Sequence, residues 1–182
     1  MEMTRETLPV GDGEGGREVL NRIRDMGDRI VVNIAGPGDA GPVFFTQENL
    51  EARLKGEQRS LLVETVRERE YRDLIVSESA NLIRAARDFS AALPERFLPD
   101  LSEEAAHLEG RLRNFLLFLH CFSLQRPGKS LERCRRTLVR TAEGLKRDAL
   151  QCPDTVKTLD LLRYRLMPAL AAIPDILGMK AT

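Results

Sequence analysis

From Thr46 onwards, apolar residues recur at the spacing of an α-helix, and this periodicity limits what the chain can fold into. The side chains that carry it stand seven residues apart or at multiples of seven: Leu54, Leu61, Ile75, Leu82 and Phe89. The pattern predicts a helix over residues 47–93, about 70 Å long at 1.5 Å per residue. Such a helix is too long for a compact chain of 182 residues. We therefore expect it to bend, near Gly56 or over residues 67–72, or to pair with a partner.

Three further stretches have the same periodicity. A helix capped by Asp100 or Ser102 is predicted to run to about Gln125, and its apolar second half indicates a buried, central helix. A second is predicted over residues 131–151, and a third begins after Pro153, with Pro168 expected to kink or end it. The predicted fold is therefore mainly α, a bundle of four to five helices with a short N-terminal β-hairpin.

The β signal lies before this helical region. Residues 29–35 (RIVVNIA) are rich in β-branched side chains, residues 36–42 (GPGDAGP) are typical of a turn, and residues 43–45 (VFF) are apolar again. Together they predict a β-hairpin over residues 29–45, preceded by a short amphipathic helix over 17–28. Because an isolated hairpin is only marginally stable in water, it must pack on the helices or on another subunit.

The domain organisation follows from these segments. Residues 1–16 are predicted to be a flexible N-terminal tail, residues 17–46 hold the short helix and the hairpin, and residues 47–182 form the bundle, all within a single domain. Inside the tail, GDGEGG (Gly11 to Gly16) fits the spacing of a dinucleotide-binding loop. That loop functions only between a strand and a helix, and no strand is predicted before Gly11, so we interpret it as part of the tail.

The stretch SLQRPGKSLE (residues 123–132) resembles a phosphate-binding loop through its Gly-Lys-Ser. Such a loop needs a first glycine at position 123, where the chain has Ser123, and Pro127 has no N–H to offer a phosphate. The alternative is a turn between two helices, in which Pro127 and Gly128 end one helix and Ser130 caps the next. We predict the turn, and no bound nucleotide.

Composition limits the other classes of function. The chain is 42% hydrophobic and 31% charged, as in folded proteins. No apolar run approaches the roughly 20 residues of a membrane span, and the N-terminus does not resemble a secretory signal, so a cytoplasmic location without membrane binding is expected. Cys121, Cys134 and Cys152 form no CxxC pair. We interpret them as reduced, partly buried residues.

Charge is distributed unevenly, although the net charge is zero. Residues 1–104 carry 14 Lys and Arg against 21 Asp and Glu, whereas residues 105–182 carry 14 against 7. In the basic half, one helix face is predicted to hold a row of cations, with two more at the preceding turn: Arg133, Arg136, Arg140, Arg147, Arg126 and Lys129. The row could bind nucleic acid through its phosphates, or it could neutralise the acidic half of the chain.

Metal ligands are scarce in this sequence. Glu104 and His107 have the Glu-x-x-His spacing of di-iron bundles, but that site needs a second such pair and further carboxylates, and His120 has Leu117 three residues before it. No metal and no cofactor are therefore expected.

The stretch RNFLLFLHCF (Arg113 to Phe122) contains an arginine and a histidine seven residues, or two helical turns, apart. It resembles the HEPN family of all-α ribonucleases, whose signature is an arginine, often followed by a polar residue, and then a histidine. The resemblance implies that Arg113 binds the scissile phosphate, that His120 is an acid or base, and that Asn114 orients one of them, with two motifs meeting in a dimer and no metal. The alternative is a histidine hydrogen-bonded within the core.

These observations favour a non-catalytic interaction or regulatory protein, or a subunit of an assembly, that is oligomeric. It would bind itself or another protein through the helix 47–93 and the hairpin 29–45. A nucleic-acid-binding helical protein and a HEPN-like, metal-independent ribonuclease are the alternatives.

Overall fold

A computed structural model describes residues 2–36, 38–54, 60–95 and 98–179 of the chain. It is mainly helical with a small four-stranded antiparallel sheet, which confirms the predicted fold class in broad form. The chain divides into two compact units: Met1–Asp73 with His120–Pro127, and Leu74–Leu119 with Gly128–Thr182. A single domain stays a prediction, because two compact units can belong to one domain or to two.

The strands are β1 (Thr4–Pro9), β2 (Arg29–Ala35), β3 (Val43–Phe44) and β4 (Ser60–Arg67). The α-helices are α1 (Gly16–Arg24), α2 (Gln47–Arg53), α3 (Glu68–Ala92), α4 (Ser102–Gln125), α5 (Lys129–Leu145), α6 (Thr155–Leu161), α7 (Met167–Ala171) and α8 (Ile173–Ile176). Two segments are π-helical, Lys146–Gln151 and Leu162–Leu166, and Leu98–Leu101 is a 3₁₀ turn. The strands thus precede Glu68, and the described residues after it are helical or form turns.

The sheet has the order β1-β4-β2-β3, with every neighbouring pair antiparallel. The predicted hairpin is present, because Asn33 pairs with Phe44 and Ile34 with Val43. Its longer strand, β2, also pairs with β4 of the same chain over most of its length. β4 therefore covers one side of the hairpin within the protein, and the binding of a partner through residues 29–45 stays a prediction.

The prediction of a flexible tail over residues 1–16 is wrong for β1. This strand pairs with β4 along its whole length, from Thr4 opposite Thr65 to Pro9 opposite Ser60. Its half-buried and exposed residues alternate as on a two-sided strand. The segment has few apolar side chains, so the backbone hydrogen bonds to β4 are what order it. The local sequence pattern does not predict such long-range pairing.

The prediction of one helix over residues 47–93 is also wrong, because β4 interrupts it. Residues 63–66 of β4 are buried one after another, as in a strand that lies between two neighbours of the sheet and not as in one face of a helix. The seven-residue step from Leu54 to Leu61 was therefore coincidental. The predicted bend near Gly56 lies outside the described residues.

Helix α3 keeps the later part of the predicted stripe. Ile75, Leu82 and Phe89 are buried at the expected spacing. β4 ends at Arg67 and α3 begins at Glu68, so the period changes from one residue to the next with no loop between the two elements.

In the first unit, residues 120–127 pack against the sheet and the start of α3. The rings of Tyr71 and Phe122 stack with centroids 6.1 Å apart, and the Arg72 guanidinium lies 5.6 Å from the Phe122 centroid. The thiol of Cys121 lies 3.2 Å from the carbonyl oxygen of Val31. Burial raises the pKa of this thiol to about 12, so Cys121 contributes to packing and has little thiolate character.

In the described part of the second unit, the regular elements are all helical. The apolar positions of α4 and α5 are buried in the expected order, and the leucines of the C-terminal segment follow them: Leu108, Leu112, Phe115, Leu131, Leu138, Leu145, Leu162, Leu166 and Leu170. Pro168 does not end the C-terminal helical segment, which continues to Ile176 with a π-helical stretch before the proline.

The turn predicted at SLQRPGKSLE is present between α4 and α5. The N-cap of α5 is Gly128, with an extended backbone and no side-chain cap, so the assignment of Ser130 as the cap is wrong. Ser130 lies instead in the first helical turn.

Candidate functional site

The outer face of α5 is basic. Leu131, Leu138 and Leu145 direct one side of the helix into the core, which leaves the opposite positions exposed. Arg133, Arg136 and Arg140 occupy them. At 1.5 Å per residue, successive guanidinium groups start about 4.5–6 Å apart along the axis. The predicted row of cations therefore lies on one face of α5, named here the basic face and consisting of these three arginines.

Two of these arginines lack an acidic partner. Arg136 is 3.7 Å from Glu132 on its own helix, whereas no carboxylate of the described residues comes within ion-pairing distance of Arg133 or Arg140. Arg147 pairs with its neighbour Asp148 through two hydrogen bonds of 2.7 and 2.8 Å. The ion pairs that the structure shows for Arg136 and Arg147 are thus made with carboxylates close to them in the sequence.

The two cations predicted at the turn have different environments. Lys129 is exposed at the first position of α5. The guanidinium of Arg126 is mostly buried and bonds within the first unit, to Glu68 at 2.7 Å and to the carbonyl oxygens of Arg24, Gly27 and Arg29. Because its donors are used in this way, Arg126 is less available to a phosphate than the exposed arginines, and its assignment to a nucleic-acid site stays a prediction.

A groove of about 530 Å³ lies beside the basic face, between α5 and the helical segment from Leu162 to Ile176. Two cations and an aromatic ring stand at its mouth, Arg133, Arg165 and Tyr164, and apolar groups such as Pro168 and Ile176 line it. The arrangement combines positive charge with a flat apolar surface. A ligand that carries both anionic and aromatic groups would complement it.

Tyr164 is exposed because of the π-helical geometry around it. Leu162 and Leu166 are fully buried, and the three residues between them, Arg163, Tyr164 and Arg165, all face solvent. The Met167 N–H donates to the Leu162 carbonyl, the longer bond of a π-helix. Pro168 has no N–H and cannot return an α-helical bond to Tyr164. The ring of Tyr164 is therefore held out towards solvent by a π-helical turn and not by a loop.

Sequence reasoning missed Tyr164 and Arg165. The signal was available as RYR between two leucines four residues apart, an arrangement that leaves three consecutive side chains on the outer face of a helix. The groove also contains Cys134, whose pKa is raised to about 11 by burial, so it carries little thiolate at neutral pH.

The residues of the ribonuclease resemblance all lie on α4. Arg113 and Asn114 are exposed in the second unit, and Arg113 pairs with Glu109 one turn earlier. His120 is half-buried and belongs to the first unit. The partner that the structure gives Arg113 is therefore a carboxylate of its own helix, and the catalytic roles of the three residues stay a prediction.

A second cavity, of about 620 Å³, lies between α3 and the start of α4. Asp88, Glu103, Glu104 and His107 line it together with apolar groups, so both residues of the Glu-x-x-His pair face this cavity. Among the described residues, no group of three or more His, Cys, Asp or Glu side chains is arranged to hold a metal ion.

The loop GDGEGG lies between β1 and α1, so it does follow a strand, contrary to the prediction. Its backbone donors are used by the chain's own carboxylates: Glu14 accepts from Gly11 at 2.8 Å and Glu18 from Gly15 at 3.1 Å. The bond from Gly11 lowers the pKa of Glu14, and pairing with Arg22 lowers it further. Two carboxylates at this helix start would repel a phosphate.

Comparisons with protein-family models, with curated proteins and with solved structures find no match to this chain. None of the helices in the described ranges combines the length and apolar character needed to cross a membrane.

Proposed function

We propose that the protein is a non-catalytic binding protein whose basic face holds the phosphate backbone of a nucleic acid. The observation that carries the proposal is the pair Arg133 and Arg140, two exposed arginines on one helix face with no carboxylate partner among the described residues. An exposed guanidinium without an internal counter-ion is available to a phosphate, which it can bind through two parallel hydrogen bonds.

Nearby charges support the same choice. Lys129 extends the row at the start of α5, and Arg165 adds a cation across the groove. A protein that contacts three to five phosphates in this way binds more weakly as salt is added, with a slope of about −0.7 per phosphate for single strands. The three side chains of the basic face are identical cations that we expect to be engaged with phosphates, and phosphate contacts carry no sequence information, so we expect weak sequence preference.

The test is the affinity of the double variant R133Q/R140Q for a fluorescent 20-nucleotide RNA, measured by anisotropy between 25 and 200 mM salt. We expect affinity at low salt to fall about tenfold or more, and the salt slope to become shallower by about 1.4, because two phosphate contacts are lost. Both side chains are exposed, so the melting temperature should stay within 2 °C or so.

The matched control is R84Q/R87Q, which removes two exposed arginines from α3 in the same unit. If both double variants weaken binding equally, overall charge and not the basic face would explain the affinity. If the unaltered protein binds no RNA or DNA at 25 mM salt, the proposal is wrong. Cleavage of the RNA during the assay, abolished by His120→Ala, would instead support the ribonuclease alternative.

A further inference from the structure

We infer that Tyr164 is a stacking platform for one unpaired base, so that the nucleic acid bound at the basic face is single-stranded. This inference rests on the proposed function and narrows its ligand class. It starts from the exposure of the ring, because 74% of Tyr164 is accessible to solvent in a protein whose other tyrosine, Tyr71, is 1% accessible. Most aromatic rings are buried in a folded core.

The position of the ring is the second step. Tyr164 lines the same groove as Arg133 and Arg165, so a base lying on the ring would have two cations in the same groove for its flanking phosphates. The buried side chains of Leu162 and Leu166 hold the backbone on either side of Tyr164. The platform is therefore presented by a packed helical segment, which reduces the entropy lost when a base stacks.

The chemistry of the ring distinguishes the ligand classes. The face of an aromatic ring carries negative electrostatic potential, so it attracts another π system or a cation but repels a carboxylate. An acidic peptide could bind the arginines, but its carboxylates would gain nothing from Tyr164. A nucleobase stacks on such a ring whatever its identity, at about 1–3 kcal/mol per base.

The same argument disfavours double-stranded ligands. In a duplex, the faces of the bases are covered by their neighbours in the stack, and only edges and phosphates are accessible. A strand with unpaired bases can turn one base towards Tyr164 while its phosphates follow the arginines. Duplex RNA and DNA should therefore bind through the cations alone.

The experiment uses the absence of tryptophan from the chain. Tyr164→Trp introduces a sole tryptophan, which can be excited near 295 nm, where nucleic acids absorb little. We expect oligo(dT) and oligo(U) of 20 nucleotides to quench its fluorescence on binding, and an abasic strand of the same length to leave it nearly unchanged. The DNA and RNA arms show whether the sugar affects binding.

Affinity provides the second readout. Tyr164→Ala should weaken binding of the single strand about 5- to 150-fold, the equivalent of one stacked base, and should weaken binding of the abasic strand less than twofold. Tyr164→Phe should retain most of the single-strand affinity, because the phenyl ring also stacks. Melting temperatures of the three variants check that the fold is unchanged.

The outcomes separate this inference from the proposed function. If R133Q/R140Q weakens binding but Tyr164→Ala affects the single and abasic strands equally, the stacking role of Tyr164 is wrong. The proposal that the basic face binds nucleic acid would then be unaffected. If poly-glutamate of matched charge quenches the Tyr164→Trp signal as strongly as oligo(U), the partner is an acidic protein and the inference is overturned. If no nucleic acid binds, both proposals fail.

Discussion

Arg126→Ala lowers the free energy of unfolding by about 2–4 kcal/mol, because it leaves a partly buried carboxylate without its main counter-ion. The guanidinium of Arg126 and the carboxylate of Glu68 are only 20% and 17% exposed and lie 2.7 Å apart. The same guanidinium donates to three backbone carbonyl groups between Arg24 and Arg29. Urea denaturation at pH 7, followed by circular dichroism and by tyrosine fluorescence, measures the loss.

The control for this variant is Arg69→Ala, which truncates an exposed arginine one residue after Glu68. We expect it to change the free energy of unfolding by less than about 0.5 kcal/mol. Equal losses for the two variants would show that the contacts of Arg126 do not contribute to stability beyond those of a surface arginine.

The effect of Arg126→Ala should depend on pH. Burial raises the pKa of Glu68, but hydrogen bonds from Arg126 and Arg72 more than offset it, so the pKa lies below the ordinary value of 4.5. A lowered carboxylate pKa stabilises the folded state above the unfolded pKa, and this contribution is lost as pH falls through the folded pKa. The difference between the variant and the unaltered protein should therefore be largest above about pH 5 and shrink towards pH 3.

Gln125→Leu should cost a similar amount, about 2–4 kcal/mol, for a different reason. Gln125 is 1% exposed; its side-chain oxygen accepts from the Val31 N–H at 2.8 Å, and its amide nitrogen donates to the Val31 carbonyl at 2.9 Å. β3 pairs with β2 at Asn33 and Ile34 only, so it does not reach Val31. A leucine fills the space but leaves these backbone groups without their amide partner.

Hydrogen exchange measures this effect at a single residue, because the Val31 amide should exchange faster in Gln125→Leu. Gln47→Leu is the matched control. Gln47 is exposed, and its side-chain amide donates a hydrogen bond to the exposed side chain of Glu51. Unchanged exchange at Val31 in the Gln125 variant would contradict the role assigned to the amide.

Helices that are long and carry their own apolar stripe could be predicted from the sequence. α4 begins and ends close to the predicted residues, and the predicted helix 131–151 corresponds to α5 together with the π-helical segment Lys146–Gln151. The hairpin was visible because its turn is rich in glycine and proline. β1 and β4 were not, because they pair with each other across a long stretch of chain, from Thr4 opposite Thr65 to Pro9 opposite Ser60. β4 also contains Leu61 at a spacing that continues a helical stripe, so the tertiary pairing overrode the local pattern.

In the candidate site too, some features could be predicted from the sequence and others could not. The basic face follows from a spacing of three and four residues on one helix, and Arg133, Arg136 and Arg140 were predicted together. Arg126 was predicted beside this row, at the preceding turn, and its contacts with Glu68 and with distant carbonyl groups could not be seen in the sequence. The exposure of Tyr164 could have been inferred from its place between Leu162 and Leu166, but the groove that it lines with residues of α5 could not.

The separation of Val31 from Gln125 also constrains the order in which a newly made chain can fold. The two residues are 94 positions apart. At about 5–20 residues per second, synthesis of that interval takes roughly 5–20 s, during which β2 is made but its amide partner is not. Ribosome-bound chains that stop before residue 120 should remain sensitive to protease within residues 29–67, and chains long enough to expose residue 127 outside the ribosome should become resistant. The first unit is thus completed late in translation, although most of its residues are made first.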